Sequence, residues 1–350
     1  MSKVAVIVNC YNAFPVMHQC LDALFAKSSP DVSVILVDQH SPDEKTRDYL
    51  IPAAKAALPR HVIVLDPGRN LGCHHGFNYG FEHGVLGKGF DFSTKLDDDT
   101  VIQTPDWDRW MVRGLEARPD IACLSADIDA KQSAQWDVET VEQSHFLNGG
   151  RFVYDVAPPN AVVGFSCVMF RVADILKWEG KPNKGYSGRV WLDNPQGDGR
   201  LYGGEELYMA RKVRAEGRKI AHFKNVFVHH LGNEQRDPDY VLWKLVYGFY
   251  GWTAKPMDEW LKSGEMLRDL RKLVGAWACG QEGAAKPYIV DCVRRIGDIG
   301  DAADAAKLLL LAHGDPFGLI PFPRKDMPEV TKELEKSAAR LTENFGKKAR

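Results

Sequence analysis

The sequence lacks the features that would place it in several specialised classes of protein. Its seven cysteines are odd in number and scattered, and none forms a Cys-x-x-Cys pair, which argues against a disulfide framework and against a zinc site. A net charge of -2 gives no electrostatic reason to expect binding to nucleic acid or to an anionic membrane.

Long apolar runs are also missing. No run approaches the roughly 20 residues that cross a bilayer, and a strand-like segment begins at Val4, which leaves no room for a signal peptide. We therefore expect a cytoplasmic protein without an integral membrane segment, at most peripheral to a membrane.

The first third of the chain alternates between strand and helix patterns. Two β-branched segments, 4–8 and 32–37, flank a helical pattern over 14–26, which predicts a βαβ unit. The alternation continues with a helix to about residue 58, a strand at 61–65, a helix at 73–85 and a strand at 90–96. Such alternation predicts an α/β fold whose mostly parallel sheet is flanked by helices.

The rest of the chain divides into two regions. A helix at 107–117, strands at 121–125 and 161–171, a helix at 205–217 and short strands at 219–223 and 226–228 extend the first domain to about residue 235. Residues 179–204 are rich in Gly, Pro and Asn and predict a functional lid or a disordered segment. Residues 236–350 carry only helical patterns and predict a helical C-terminal appendage.

Three consecutive carboxylates, residues 97–99, directly follow the predicted strand at 90–96. Because like charges repel, such a cluster calls for a counter-charge, and oxygen ligands suit Mg²⁺ or Mn²⁺. The carboxyl ends of parallel strands meet at one edge of the sheet. Polar residues also follow the other predicted strands and should converge on the same crevice: Asn9, Asn12, Asp38 and Asn70.

Several segments resemble, in the same order, an inverting glycosyltransferase of the GT-A fold, family 2. The resemblance spans roughly residues 3–232 and is carried by these motifs: Val-Ile-Val-Asn-Cys-Tyr-Asn at 6–12, Val-Ile-Leu-Val-Asp at 34–38, Asn-Leu-Gly at 70–72, Leu-Asp-Asp-Asp-Thr at 96–100, the acidic-pair helix at 203–217 and the strand ending in His-His at 226–232. The resemblance implies a GT-A catalytic domain over 1–235, with a nucleotide-binding half at about 1–125 and an acceptor half at about 126–235. It also implies a hexosyl- or pentosyltransferase that uses a nucleotide-diphosphate sugar as donor.

The resemblance assigns a metal site to the acidic triplet, which matches the family's Asp-x-Asp motif. Asp99 is the expected principal ligand, and Asp97 binds the ion or contacts the donor ribose. His229 is expected to complete the shell, which would favour Mn²⁺ over Mg²⁺. His230 is the alternative, because a one-residue change of register exchanges the faces of neighbouring strand residues.

The resemblance also assigns the donor contacts and the catalytic base. Glu206 is the expected general base and Glu205 the alternative, although helix-dipole compensation alone can select an acidic pair at a helix start. Asp38 can instead cap the helix that follows it. The expected donor contacts are Asn9, Tyr11, Asn12, Asp38, Asn70, Asp97 and Asp98.

Other polar and aromatic residues near these motifs have two interpretations each. Lys95 either touches donor phosphates or is simply solvated. Trp191 and Tyr186 either stack on an acceptor or pack into the core. His74 and His75 are neighbours on a predicted helix, where side chains diverge, and we interpret them as packing or outer-shell groups.

Two other functions remain open at this point. A nucleotidyltransferase of related fold would require a Gly-rich phosphate loop after the first strand, where this chain has Asn9-Cys10-Tyr11-Asn12. A catalytically silent module that binds sugar nucleotides would not need the acidic and histidine positions. The acceptor, whether a glycan, a lipid-linked glycan, a protein or modified nucleic acid, is not determined, and the C-terminal helices are candidates for a homo-oligomer interface.

Overall fold

The computed structural model describes residues 2–11, 13–14, 16–41, 44–128, 141–147, 150–158, 162, 164–181, 186–193 and 204–231. The chain divides into two compact units, Met1–Gln235 and Arg236–Arg350. All described residues belong to the first unit. Asn12 and the predicted helical appendage lie outside the described residues, so the appendage stays a prediction.

One sheet of ten strands organises the first unit. The strands are β1 (Val4–Cys10), β2 (Ser33–Asp38), β3 (Val62–Leu65), β4 (Phe92–Asp97), β5 (Thr100–Ile102), β6 (Ile121–Ile128), β7 (Val141–Leu147), β8 (Gly150–Val156), β9 (Cys167–Arg171) and β10 (Lys219–His230). Their order is β3-β2-β1-β4-β9-β6-β10-β8-β7, and β5 pairs with β10. Strands β3, β2, β1 and β4 are mutually parallel, whereas β9 runs antiparallel to both of its neighbours.

The helices connect these strands and pack against the sheet. They are α1 (Met17–Lys27), α2 (Glu44–Ala56), α3 (Gly72–Gly84), α4 (Trp107–Ala117), the short α5 (Val172–Ile175) with a 3₁₀ turn at Leu176–Trp178, and α6 (Glu205–Ala215). None of the helices in the described ranges is long and apolar enough to cross a bilayer.

The apolar run at residues 4–8 of β1 is explained by the packing on its two faces. Val4, Val6 and Val8 belong to the core cluster that also contains α1 residues such as Leu21. The alternate residue Ile7 belongs to the cluster on the other face, with α3 residues such as Phe77. Both faces of the strand are therefore buried, as expected for a parallel sheet covered on each side.

Glycines bring α3 unusually close to the sheet. A Cβ atom at Gly80 would lie 2.6 Å from Cγ2 of Ile7, and one at Gly84 would lie 2.6 Å from Cγ1 of Ile35. These glycines are four residues apart and so share one face of the helix. The close packing holds the second half of α3 against β1 and β2.

The expected α/β class with a mostly parallel, helix-flanked sheet is confirmed, and several element boundaries differ. The strands predicted at 219–223 and 226–228 form one strand, β10, with an irregularity in its pairing between Phe223 and Phe227. In the segment predicted as a strand at 161–171, strand structure is described only for Cys167–Arg171. Short β5 and the β7–β8 hairpin were not predicted.

Candidate active site

The predicted site residues of the first half lie at one edge of the sheet. Asn9 at the end of β1 pairs in register with Asp97 at the end of β4. On the other side of β1, Cys10 pairs with Asp38 at the end of β2. Parallel pairing in this register places Asn9, Asp38 and Asp97 at adjacent strand ends.

Asp99 and His230 form the contact that closes this edge. Nε2 of His230 lies 3.0 Å from Oδ1 of Asp99, and the Leu231 backbone N–H donates to the Asp99 carbonyl oxygen at 2.8 Å. The contact arises because β10 pairs antiparallel with β5, opposite Thr100. One ligand atom from each of Asp97, Asp99 and His230 lies within 4.8 Å of the others, a spacing that a single metal ion could bridge.

His229 was the preferred histidine ligand, whereas the ring that lies against Asp99 is that of the alternative, His230. Successive strand residues point to opposite faces, and His229 is exposed while His230 is partly buried against Asp99. The sequence left this choice open because the irregular pairing of β10 changes its register before the strand end.

Lys95 provides a buried positive charge beside the acidic triplet, whereas the sequence placed it against donor phosphates or in solvent. Its side chain is 2% exposed, and Nζ lies 2.6 Å from Oδ1 of Asp97 and donates to the Phe165 carbonyl oxygen at 3.1 Å. Burial alone would lower the pKa of Lys95, but the charges of Asp97 and Glu205 outweigh it and raise the pKa above its usual value. Lys95 is thus neither solvated nor placed for phosphate contact. Its position two residues before Asp97, on the same strand face, was the available signal.

The middle carboxylate of the triplet has a separate role. Oδ2 of Asp98 accepts a hydrogen bond from the Tyr11 backbone N–H at 3.3 Å, and Asp98 is 7% exposed. The contact joins the turn after β4 to the turn after β1. Asp98 and the Tyr11 backbone are therefore bound to each other, and donor contacts by these two residues stay a prediction.

Asp38 makes the local contact that was the alternative to donor binding. Its Oδ1 accepts hydrogen bonds from the backbone N–H of Ser41 at 3.0 Å and from the Ser41 hydroxyl at 2.7 Å. Burial raises the pKa of Asp38, and the Ser41 hydrogen bonds oppose that effect. The carboxylate thus stabilises the turn before α2 while it lies at the sheet edge.

Asn9 and Asn70 hold the beginning of α3. The Asn9 amide donates to the Cys73 carbonyl oxygen at 2.7 Å, and Oδ1 of Asn70 accepts from the Gly72 backbone N–H at 2.8 Å. The Asn9 Oδ1 atom is buried without a hydrogen-bond partner. A Cβ at Gly76 would lie 2.8 Å from that oxygen, so the absence of a side chain there makes room for Asn9.

The acidic pair begins α6, directly after Gly204, whose φ of 92° is a left-handed conformation. Glu205 is 4% exposed, and its Oε1 accepts a hydrogen bond from the Cys73 thiol at 3.0 Å. Glu206 is partly buried. Burial, and secondly the negative charge of Glu205, raises the pKa of Glu206 to about 8. A carboxylate with such a pKa can accept a proton near neutral pH.

A second polar cluster lies beside the acidic pair and was not predicted. Nε2 of His75 lies 3.4 Å from Oδ1 of Asp193, and Nε2 of His74 lies 4.0 Å from the same oxygen. Burial, together with the neighbouring His75, lowers the pKa of His74 to about 3. The expectation that adjacent histidines diverge was wrong here, since their rings approach to 4.3 Å between centroids at an interplanar angle of 71°. Asp193 lies far along the chain, so no local spacing pointed to it.

The segment that carries Asp193 is fastened to α3. Oδ1 of Asn78 accepts the backbone N–H groups of Trp191 and Leu192 at 3.0 and 2.9 Å, and its amide donates to the Leu192 carbonyl oxygen at 2.6 Å. Trp191 is fully buried and contacts Phe81 edge-on. Tyr186 is 7% exposed and stacks on the His75 ring. Both aromatic residues therefore pack inside the protein, which was the second interpretation of each, and neither ring is available to stack on an acceptor.

Comparison with known proteins gives one family match. Residues 5–175 match the family described as glycosyl transferase family 2, a segment that includes the sheet edge, the acidic triplet and the start of α3. No curated protein matches the chain.

Similar solved structures share low sequence identity with this chain. TarS 1-349 of S. aureus is 14% identical with a TM-score of 0.46, over 99% of this chain and 90% of that chain. The mannosyltransferase PcManGT of Pyrobaculum calidifontis, in complex with GDP-Man and Mn²⁺, is 18% identical with a TM-score of 0.49, over 97% and 86%. GalNAc-T7 with UDP, GalNAc and Mn²⁺ is 12% identical with a TM-score of 0.47, over 89% and 54%.

Proposed function

We propose that the chain, whose residues 5–175 match glycosyl transferase family 2, is a metal-dependent, inverting glycosyltransferase. It moves a sugar from a nucleotide-diphosphate donor to an acceptor hydroxyl. The observation that carries the proposal is the convergence of Asp97, Asp99 and His230 within 4.8 Å at the carboxyl edge of the parallel strands.

The chemistry of this donor set fits a divalent ion. Two carboxylates and one imidazole suit Mn²⁺, and the oxygen ligands also suit Mg²⁺. Lys95 neutralises part of the charge on Asp97, so the cluster does not gather uncompensated negative charge. When bound, the ion would neutralise negative charge that develops on the diphosphate as the glycosidic bond breaks.

Other residues of the chain would bind the nucleoside of the donor and take the proton from the acceptor hydroxyl. Asp38 at the end of β2 and Asn70 directly before α3 would bind the nucleoside of the donor. Glu206 would accept the proton of the acceptor hydroxyl as that oxygen forms its bond to the anomeric carbon, and its pKa of about 8 suits this role. Glu205, held by the Cys73 thiol, raises the proton affinity of Glu206 and remains the alternative base.

Two variants separate binding from transfer. Asp99→Asn removes a metal ligand with little change in shape, and it should abolish the Mn²⁺-dependent thermal shift caused by nucleoside diphosphates. Glu206→Gln should keep that shift and lose sugar transfer, because an amide cannot accept the proton. A panel of nucleoside diphosphates measured on the wild-type protein identifies the base of the donor.

Asp31→Asn is the matched control for the metal site, since Asp31 is an exposed aspartate in a turn. It should behave as the wild type in both assays. If Glu206→Gln transfers sugar at the wild-type rate, the base assignment is wrong. If the Asp99→Asn protein keeps the Mn²⁺-dependent shift, the metal assignment is wrong.

A further inference from the structure

The cluster of His74, His75 and Asp193 lies outside the donor site proposed above, and that site gives it no role. All three side chains are nearly inaccessible, with 0%, 7% and 6% exposure. Among the described residues, one ligand atom from each lies within 4.8 Å of the others. Three ligands of the kinds common in transition-metal sites, two imidazoles and one carboxylate, thus meet at one buried point.

The two imidazoles have no hydrogen-bond partner for the atoms that face this point. Nε2 of His74 and Nε2 of His75 are both buried and unpaired, although Oδ1 of Asp193 lies only 3.4 Å from the second. Leaving a buried polar atom unpaired costs about 1–3 kcal/mol. Two such atoms aimed at the same carboxylate indicate that the cluster accommodates a ligand.

The size of the space favours a metal ion over a water molecule or a sugar hydroxyl. Each unpaired nitrogen has almost no solvent-accessible surface, so a water molecule has no room beside it. Zn²⁺ bonds of about 2.0–2.1 Å in tetrahedral geometry separate two ligand atoms by about 3.4 Å. The separations of 3.4 and 4.0 Å from Asp193 need only a small contraction to match.

The other nitrogen of His74 faces the sulfur of Cys73, which restrains the imidazole ring from behind. Its Nδ1 lies 3.9 Å from Sγ of Cys73, and that thiol donates to Glu205 at 3.0 Å. Contacts behind a metal-binding imidazole fix its tautomer and the orientation of its ring. The stacked Tyr186 ring, 4.4 Å from His75 between centroids, restrains the second imidazole.

We propose that His74 Nε2, His75 Nε2 and Asp193 Oδ1 bind one borderline divalent transition ion, with Zn²⁺ as the best fit. Two imidazoles and one carboxylate select such ions over Mg²⁺. The ion cross-links α3 to the segment before α6 and so supports the position of Glu205. The argument against zinc from the sequence considered cysteine pairs, whereas this ligand set contains no cysteine. The inference does not rest on the proposed function.

The test uses the full chain with Asp99→Asn, so that an ion bound by Asp97, Asp99 and His230 does not contribute. The protein is loaded with ZnCl₂, desalted and analysed by elemental mass spectrometry. We expect about one Zn²⁺ per chain, and a loss of at least about tenfold when His75→Gln or Asp193→Asn is added. Adding His83→Gln, an exposed histidine of the same helix, should leave the zinc content unchanged.

Two further measurements make the test independent of variant folding. Zinc should raise the melting temperature of the Asp99→Asn protein and a chelator should lower it, because the ion binds only the folded state. The Co²⁺-loaded protein should show ligand-field absorption without a thiolate charge-transfer band. An Asp99→Asn chain that retains no zinc would overturn the proposal, as would a thiolate band that disappears in Cys73→Ala.

Discussion

The pH dependence of transfer should reveal the electrostatic coupling between Glu205 and Glu206. The pKa of Glu206 is raised to about 8, first by burial and secondly by the charge of Glu205. Only the ionised carboxylate can act as a base, so kcat/KM should rise with pH and level off above about 8. Well below that value it should fall about tenfold per pH unit.

Glu205→Gln removes the neighbouring charge while it keeps the shape of the side chain and an oxygen acceptor for the Cys73 thiol. The ionised form of Glu206 then becomes easier to reach, and the rising limb should move to lower pH. Because burial remains, we expect a shift of about one pH unit, which corresponds to about 1.4 kcal/mol. The limb should not return to the ordinary pKa of a glutamate, 4.5.

The assay is the initial rate of transfer at fixed saturating Mn²⁺, measured across the pH range that brackets 8. Glu44→Gln is the matched control, since Glu44 is an exposed glutamate in the first turn of α2, and it should leave the limb in place. An unmoved limb in Glu205→Gln would refute the coupling, and a wild-type limb in Glu206→Gln would refute the assignment of the base.

The pH dependence of folding stability provides a second test of the raised pKa of Glu206. The raised pKa means that the folded chain holds this proton more tightly than the unfolded chain does. Its contribution is therefore fully present below the usual value of 4.5 and is lost as pH rises through about 8. Glu206→Gln should remove this part of the pH dependence of the free energy of unfolding, and an unchanged pH dependence would contradict the assignment.

Two packing predictions concern α3 and can be checked by urea unfolding. Gly80→Ala should destabilise the fold by about 1–3 kcal/mol, because its Cβ would lie 2.6 Å from Ile7 and 2.9 Å from Val37; an unchanged midpoint would show that the helix can move away at no cost. Asn78→Ala should lower the free energy of unfolding by about 1–3 kcal/mol, because it removes the hydrogen-bond partner of the Leu192 backbone N–H and C=O groups. An unchanged free energy of unfolding would mean that these groups find other partners.

The strand–helix alternation and the carboxyl-edge site could be predicted from the sequence because they follow from local periodicity. The burial of β1 on both faces follows from its unbroken apolar run. The placement of Asp97 beside Asn9 follows from parallel pairing of neighbouring strands. Only the pairing of β1 with β4 joins segments distant in the chain, and the common edge of a parallel sheet makes its consequence predictable.

Other details of the site depend on contacts between distant segments. The choice between His229 and His230 turns on an irregularity inside β10 that no periodic pattern records. The contact between His75 and Asp193 forms because Asn78 binds the segment that carries Asp193 to α3. His75 and Asp193 are far apart in the sequence, so no local pattern indicates this contact. Lys95 was expected to contact donor phosphates or to be solvated, since lysines are rarely buried, whereas its same-face partner Asp97 supplies the charge that allows burial.

The central claim is tested most directly by the products formed from nucleotide sugars. Wild-type protein should release nucleoside diphosphate from the nucleotide sugar that the panel identifies, in the presence of Mn²⁺, and should lose that activity with a chelator or with Asp99→Asn. Release at the same rate without metal or in the Asp99→Asn variant, or formation of nucleoside triphosphate from pyrophosphate instead, would contradict the account.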